Sequence, residues 1–312
     1  MNGSIVYQVN ILFDNSGIFT PGVSKHNEKA IARKNGANTW GAMGKALNIY
    51  SFETTKTYRA TWFNCAKWLK ANFQLKHIEK IEPNHIRAFL EHRIEDNIKP
   101  ATYKKEAAAL QKMERALNLL SAKMQTGYHY DFTRAIRGVS RTATKTLGKI
   151  EIKSRAFSNP RLLIEHLKPE YQIVAKLQLE GGARKSETFL KEEQPQGINI
   201  EGKGIIQLEK YNAKGGRKRE LYISEKTYSL LTEHISSHGK LDINYNSYKS
   251  ALVIAAIKSG QRYTGSHGFR WNFAQNRMSE LLGQGVSRHD ALLQVSFEMG
   301  HSRASITERY LK

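Results

Sequence analysis

Residues 299–310 read Met299-Gly300-His301-Ser302-Arg303-Ala304-Ser305-Ile306-Thr307-Glu308-Arg309-Tyr310, a glycine-histidine turn with a tyrosine nine residues beyond the histidine. Alone, this tyrosine is one of 14 and carries no distinction. Three clusters upstream change its weight. His267-Gly268-Phe269-Arg270 sets a histidine and an arginine three residues apart, on one side of a helical turn, with Phe269 facing inward. A histidine at a helix start is most often a cap or a core residue. Lys210-Tyr211-Asn212-Ala213-Lys214-Gly215-Gly216-Arg217-Lys218-Arg219 reads as a loop between two strands, with five basic residues in ten. Its plain reading is a solvated β-turn, which that charge density makes uncomfortable. In Gly181-Gly182-Ala183-Arg184-Lys185-Ser186-Glu187 the glycines permit a tight turn, Arg184 falls at a helix start, and Glu187 lies one turn on, able to brace the guanidinium. A surface Arg–Glu pair is the bland alternative.

Outward from these clusters the pattern is mainly helical with a small β-meander. Residues 1–38 scatter Asn, Gly and Ser among short apolar runs and receive no assignment. Helical periodicity runs near Trp40–Tyr50, Thr55–Asn72, Pro83–Glu95 and Pro100–Lys123, predicting a helical domain over 39–125. Pro83 and Pro100 suit first turns, with Thr54 and Thr102 as candidate caps. Residues 126–158 carry Arg134, Arg137, Arg141, Lys145, Lys149, Lys153 and Arg155 among small and polar residues and read as a basic linker. A mixed domain over 159–312 follows. It has helices at Pro160–Leu167, Glu170–Glu180 and Lys185–Leu190, and strands at Gly197–Ile200, Gly204–Leu208 and Glu220–Ile223. From Ser224 onward it is helical, with loops near His238, Gly260, Gly283 and Gly300.

Composition narrows the partners. The 312 residues hold 49 Lys+Arg against 28 Asp+Glu, a formal charge of +21 suited to a polyanion, with an anionic membrane surface or plain solvation as alternatives. No apolar run approaches the roughly 20 residues that span a bilayer, and Ile5–Phe13 lacks the basic flank of a secretory signal. The expectation is a cytoplasmic, nucleoid-associated protein. Cys65 is the single cysteine, which excludes an internal disulfide and a thiolate cluster. Among Trp62, Phe63, Trp68 and Leu69 it reads as core.

In combination the clusters resemble the signature of the tyrosine recombinase, or phage integrase, family from about Arg155 to Tyr310. The matching pieces are Gly182-Ala183-Arg184-Lys185-Ser186-Glu187, Lys214-Gly215, His267 to Arg270, Met299-Gly300-His301 and Tyr310. The helical first half is similar to the family's core-binding domain by pattern. The resemblance implies a two-domain, mainly α fold that closes on double-stranded DNA. It implies site-specific strand cleavage and rejoining through a covalent 3′-phosphotyrosine, with protomers assembling as a tetramer on paired sites. Arg184, Lys214, His267, Arg270, His301 and Tyr310 take the catalytic positions, supported by Glu187. Arg134, Arg137, Arg141, Lys145, Lys210, Arg217, Lys218 and Arg219 are expected to contact DNA.

Physical chemistry agrees with those roles. Guanidinium groups match the non-bridging phosphate oxygens with paired hydrogen bonds, so Arg184 and Arg270 form a clamp. A tyrosine, with an ordinary pKa of about 10, needs its proton taken. His267 is the base, and His301 is expected to donate to the phosphate. The leaving 5′ oxygen needs a proton, which Lys214 supplies. No metal or ATP is expected, because the sequence holds no P-loop and no compact carboxylate cluster, and His267 and His301 lie 34 positions apart without a partner at ligand spacing. A type IB topoisomerase and a non-catalytic DNA binder are the competing readings.

Three departures from the family pattern stand out. The Arg270–His301 interval is long, with an insert around Leu281–Leu293. Ala183 replaces a larger apolar residue. Only Leu311 and Lys312 follow Tyr310, which removes the usual tail-exchange helix and leads to the expectation of a monomer when free of DNA.

Overall fold

The computed structural model describes residues 1–209, 211, 213 and 218–312. It divides the chain into two units, Met1–Glu151 and Ile152–Lys312. The division falls inside the stretch read as a linker.

The first unit is helical and begins earlier than its sequence suggests. Helix α1 (Ile5–Asn15) buries Ile5, Gln8, Val9, Leu12 and Phe13, a one-sided set at helical spacing, and Ser4 caps it by accepting from Tyr7 N. Gln8 hides this pattern in the sequence. Its amide is buried because it is fully engaged, donating to Gly3 O and Lys76 O and accepting from Ile78 N. Helices α2 (Lys25–Lys34) and α3 (Trp40–Ala46) follow. Helices α4 (Phe52–Phe73), α5 (Pro83–Glu95) and α6 (Pro100–Met124) occupy the predicted stretches, with both prolines in the first turn. The predicted caps shift: Ser51 caps α4, accepting from Thr54 N, and Lys99 stands at the N-cap of α6 without a side-chain hydrogen bond. Phe13 packs 4.7 Å from Trp62, ring to ring, and Trp62 Nε1 donates to Ala109 O at 2.7 Å, which joins α1, α4 and α6 in one core. Cys65 lies in that core, where burial pushes its thiol far above the ordinary range.

Thr133–Thr146, inside the predicted linker, is helix α7. Ala135, Ile136, Val139 and Ala143 are buried against α5 and α6, while Arg134, Arg137, Arg141 and Lys145 stand exposed along the opposite side. Small side chains make its apolar stripe easy to miss among so many cations. The linker reading therefore gives way to an ordered amphipathic helix over these positions.

In the second unit, α8 (Pro160–Glu165) and α9 (Pro169–Glu180) precede a single 3-10 turn at Lys185–Thr188, shorter than the predicted helix. The chain leaves that turn as a two-residue strand, β1 (Leu190–Lys191). Strands β2 (Pro195–Ile198), β3 (Lys203–Leu208) and β4 (Arg219–Ser224) form the expected antiparallel meander, with Lys203 opposite Ser224 and Leu208 opposite Arg219. Gly204, Ile206 and Leu208 alternate inward on β3, and Leu221 and Ile223 on β4, toward a core shared with α9 and α10 (Glu225–His238). Strand β5 (Lys240–Leu241) pairs with β1; at two residues each, neither strand leaves a readable pattern.

Helices α11 (Tyr245–Lys258), α12 (His267–Gly283), α13 (Arg288–Glu298) and α14 (Ala304–Thr307) complete the unit, with a 3-10 turn at Glu308–Leu311. The long Arg270–His301 interval is taken up by the rest of α12 and by α13. Ser287 caps α13 through Asp290 N, and Leu281, Ala291, Leu292 and Val295 seal the pair.

Candidate active site

Two glycines let separate elements meet. Gly182 has φ +60°, and a Cβ there would lie 2.6 Å from the Phe273 ring, so only glycine fits where the chain turns from α9 toward Arg184. Gly268, in the first turn of α12, would place a Cβ 2.6 Å from Arg155 O. Its absence lets the 155–157 segment cross the helix start.

Arg184 N and Nη1 donate to opposite oxygens of Glu187, at 2.7 and 2.6 Å, and Nη2 donates to Met299 O and Gly300 O at 3.0 and 3.2 Å. The guanidinium is thus tied to the glycine-histidine turn. Glu187 is wholly buried and also accepts from Arg219 Nη2 at 2.6 Å. Burial pushes its carboxyl up, but Arg219 and Arg184 outweigh that and hold it below the usual carboxylate range. Arg219 also donates to Glu298 O and Gly182 O. Here the sequence reading needs correction: Arg219 was grouped with the DNA-contacting hairpin, but its inward register at the start of β4 fixes it beneath Glu187. Lys218 is exposed and pairs with Glu209 at 2.7 Å. Lys210, Lys214 and Arg217 lie outside the described residues.

Arg270 reaches the same place from α12. It donates to Gly182 O and Met299 O, and its Nη2 lies 3.1 Å from His301 Nε2. It is fully buried, and its Nε has no hydrogen-bond partner. Burial first, then Arg184 and Arg219, push it down to about 9, so it stays charged at neutral pH. Three guanidiniums around one carboxylate leave a local excess of positive charge, an anion site by construction.

Tyr310 closes the cluster. Its Oη lies 2.9 Å from His267 Nε2, and its ring lies 5.1 Å from that of Trp271, 5.4 Å from that of His301 and 6.0 Å from the Arg270 guanidinium carbon. Gln275 Nε2 donates to Tyr310 O at 3.0 Å, fixing the backbone of the terminal 3-10 turn. His301 differs from expectation. Arg270 can only donate, so Nε2 must accept from it, and in the free protein this atom carries no proton to give a phosphate. Burial, then Arg270, Arg184, Arg219 and His267, push His301 down to about 3.

Arg184, Glu187, His267, Arg270, His301 and Tyr310 therefore come together, from positions up to 126 residues apart in sequence. Sequence reasoning missed the buried role of Arg219, and it missed Gln275, Trp271, Ser296 and Thr307. Of these, only Thr307 offered a signal, as a threonine between the histidine and the tyrosine. Arg134, Arg137, Arg141 and Lys145 belong to the first unit. Among the described residues, no group of three or more His, Cys, Asp or Glu is placed to hold a metal ion, and no helix is long and apolar enough to cross a membrane.

Neither a protein-family model nor a curated protein matches the chain. Solved structures do. The chain is similar to the Tn1549 transposon integrase in complex with circular intermediate DNA, at 12% identity over 92% of this chain and 94% of that one, with a TM-score of 0.54. It is also similar to lambda integrase, solved as a tetramer bound to a Holliday junction, at 16% identity over 98% of this chain and 80% of that one, with a TM-score of 0.53. At these identities the likeness is one of fold.

Proposed function

From the tyrosine recombinase and integrase fold that the chain carries, we propose that it is a site-specific DNA recombinase acting through a covalent phosphotyrosine at Tyr310. The observation that carries this reading is the 2.9 Å contact between Tyr310 Oη and His267 Nε2 at the mouth of a three-arginine nest. A tyrosine hydroxyl facing a base and an anion site has what a phosphoryl acceptor needs.

In the reaction, Tyr310 Oη forms a bond to phosphorus as the bond from phosphorus to the deoxyribose 5′ oxygen breaks. His267 Nε2 takes the tyrosine proton. Lys214, by its place in the motif, gives a proton to the leaving oxygen. Arg184 and Arg270 neutralise the charge that builds on the non-bridging oxygens. Tyr310 stands over the Arg270 guanidinium in the free protein, so the phosphate enters as that ring gives way. Reversal with a different 5′ hydroxyl rejoins the strand, and the phosphotyrosine conserves the bond energy without nucleotide or metal. Double-stranded DNA is the substrate. By analogy with the tetrameric assembly of lambda integrase, four protomers act on two paired sites. The exposed cations of α7 track phosphates.

The test is covalent capture. Wild-type protein is incubated with a duplex library carrying nicks, and DNA that survives denaturing recovery on the protein is sequenced. A shared sequence among captured molecules, with none captured by Tyr310→Phe, is the expected result. Capture without sequence preference points to a type IB topoisomerase, and binding without capture to a non-catalytic DNA binder. Either result overturns the proposal, as does an adduct that survives Tyr310→Phe.

A further inference from the structure

Behind His301 runs a chain of hydrogen bonds that neither the family signature nor the proposed chemistry uses. His301 Nδ1 lies 2.8 Å from Thr307 Oγ1, Thr307 Oγ1 lies 2.7 Å from Ser296 Oγ, and Ser296 Oγ lies 2.6 Å from Leu292 O. On the other side of the ring, Nε2 is 3.1 Å from Arg270 Nη2. Ser296 is 4% exposed and Thr307 0%, so the two hydroxyls look to each other, the ring and one carbonyl for their bonds.

Both ends of this chain are one-way. A guanidinium has donors and no acceptor; a backbone carbonyl has an acceptor and no donor. Starting from Arg270, Nε2 must accept, so a neutral ring carries its proton on Nδ1 and donates it to Thr307 Oγ1. Starting from Leu292, Ser296 must spend its only proton on the carbonyl oxygen, so its Oγ accepts from Thr307. The two deductions meet at Thr307 and agree. Four consecutive bonds point the same way, from Arg270 to Leu292.

We infer that Thr307 and Ser296 are positioning residues that hold His301 as the Nδ1–H tautomer, so that its Nε2 lone pair is presented to Arg270 and keeps that guanidinium in place. Without DNA, His301 then serves the site by accepting from Arg270. The charged and titratable groups facing the ring agree with a neutral imidazole: the guanidiniums of Arg270 from α12, Arg184 from the turn before the 3-10 segment and Arg219 from β4, with His267 of α12 as the titratable neighbour. Arg270 has its Nη1 on Gly182 O and its other Nη2 contact on Met299 O, so His301 is its one side-chain partner among the bonds described. Had the ring been the Nε2–H tautomer, two donors would face each other at 3.1 Å.

The tautomer is independent of any reaction, and only the kinetic part of the test rests on the proposed function. The full chain, labelled with ¹⁵N at histidine, is examined by NMR without DNA. The His301 signals are identified by their loss in His301→Gln. Wild type is expected to show a protonated Nδ1 and an unprotonated Nε2. Thr307→Val keeps the shape and removes the hydroxyl, and should move His301 toward a mixture of tautomers. Thr307→Ser should restore the wild-type pattern. Ser296→Ala, a smaller change in α13, should also mix the tautomers, because Thr307 is freed to donate to Nδ1. A wild-type ring protonated at Nε2, or a tautomer indifferent to both Thr307→Val and Ser296→Ala, overturns the inference. In covalent capture on a site that wild type cleaves, Thr307→Val should slow adduct formation by about tenfold or more, a common cost of losing an outer hydrogen-bond partner. DNA affinity should stay unchanged, and Thr307→Ser should recover most of the rate. A wild-type rate in Thr307→Val also counts against the inference. Failure of wild type to form any adduct counts against the proposed function and leaves the NMR result to decide the tautomer.

Discussion

Replacing Glu187 by Gln tests the centre of the site most severely. The carboxylate is wholly buried and accepts from Arg184 N, Arg184 Nη1 and Arg219 Nη2 at 2.6 to 2.7 Å. Gln keeps the shape and one acceptor but turns the other oxygen into a donor facing a guanidinium. It also leaves three neighbouring cations without their counter-charge. Removing one partner of a buried ion pair costs about 3–5 kcal/mol, because the stranded charge stays desolvated. For a domain of this size about 1 kcal/mol moves the midpoint by roughly 2–4 °C, so Glu187→Gln should melt roughly 6–20 °C lower. Calorimetry at pH 7 measures this. The cause is separable: if stranded charge is the cost, Glu187→Gln combined with Arg219→Met should lose less than the sum of the single losses. The pH dependence has a fixed sign. Glu187 is held below its ordinary value, so its contribution is complete above the usual carboxylate range and fades as pH falls through its lower folded value. The gap between wild type and Glu187→Gln should close in strong acid. A single variant within about 1 kcal/mol of wild type at pH 7, where the stranded-charge estimate requires several times that, refutes the reasoning.

Further expectations follow from the same geometry. Lys214→Ala should cleave normal DNA slowly and recover on a substrate with sulfur at the bridging 5′ position, which leaves without a proton; recovery in another hairpin variant but not in Lys214→Ala moves the role. Cleavage and rejoining should proceed in excess EDTA without nucleotide, and a strict need for magnesium overturns the metal-free chemistry. Arg137→Ala with Arg141→Ala should weaken DNA binding and flatten its salt dependence by about one phosphate contact per cation, while a slope equal to wild type removes α7 from the interface. His301 falls from an ordinary 6.5 to about 3, so between those values the unfolded chain binds a proton that the folded one refuses. Stability should therefore decline as pH drops from about 6.5 toward about 3, and less so in His301→Gln.

How much was legible depends on whether a residue's neighbours lie close in sequence. Pro83 and Pro100 announced helix starts because proline's fixed φ and missing N–H suit a first turn wherever the helix later packs. The meander was legible from alternation and turn glycines. Helices α1 and α7 were not. In α1 a buried position is filled by Gln8, whose partners Lys76 and Ile78 lie about 70 residues away, so a core residue looked like surface. In α7 the core stripe is Ala135, Ile136, Val139 and Ala143, too small to outweigh the cations opposite. Both failures come from weighing side chains by type where tertiary partners decide.

The site divides along the same line. Arg184, His267, Arg270, His301 and Tyr310 were found because each sits in a short motif with a glycine or an ionic neighbour. Their depth was not found. Arg219 and Lys218 are adjacent in sequence, yet one is held against Glu187 and the other stands in solvent on Glu209, because Arg219 opens β4 on the face of Leu221 and Ile223 while Lys218 lies just before the strand. A cluster of cations in sequence thus sorts into a structural brace and a solvated charge only once the register is known. The same reasoning shows why Thr307 and Ser296 escaped notice. A hydroxyl with two possible directions means nothing alone, and it acquires a direction here only from Arg270 at one end and Leu292 O at the other, 22 positions apart on different helices. Proton placement on His301 is fixed from both ends of its hydrogen-bond chain, by Arg270 and by Leu292 O, so the behaviour of the ring must be read together with the far end of that chain.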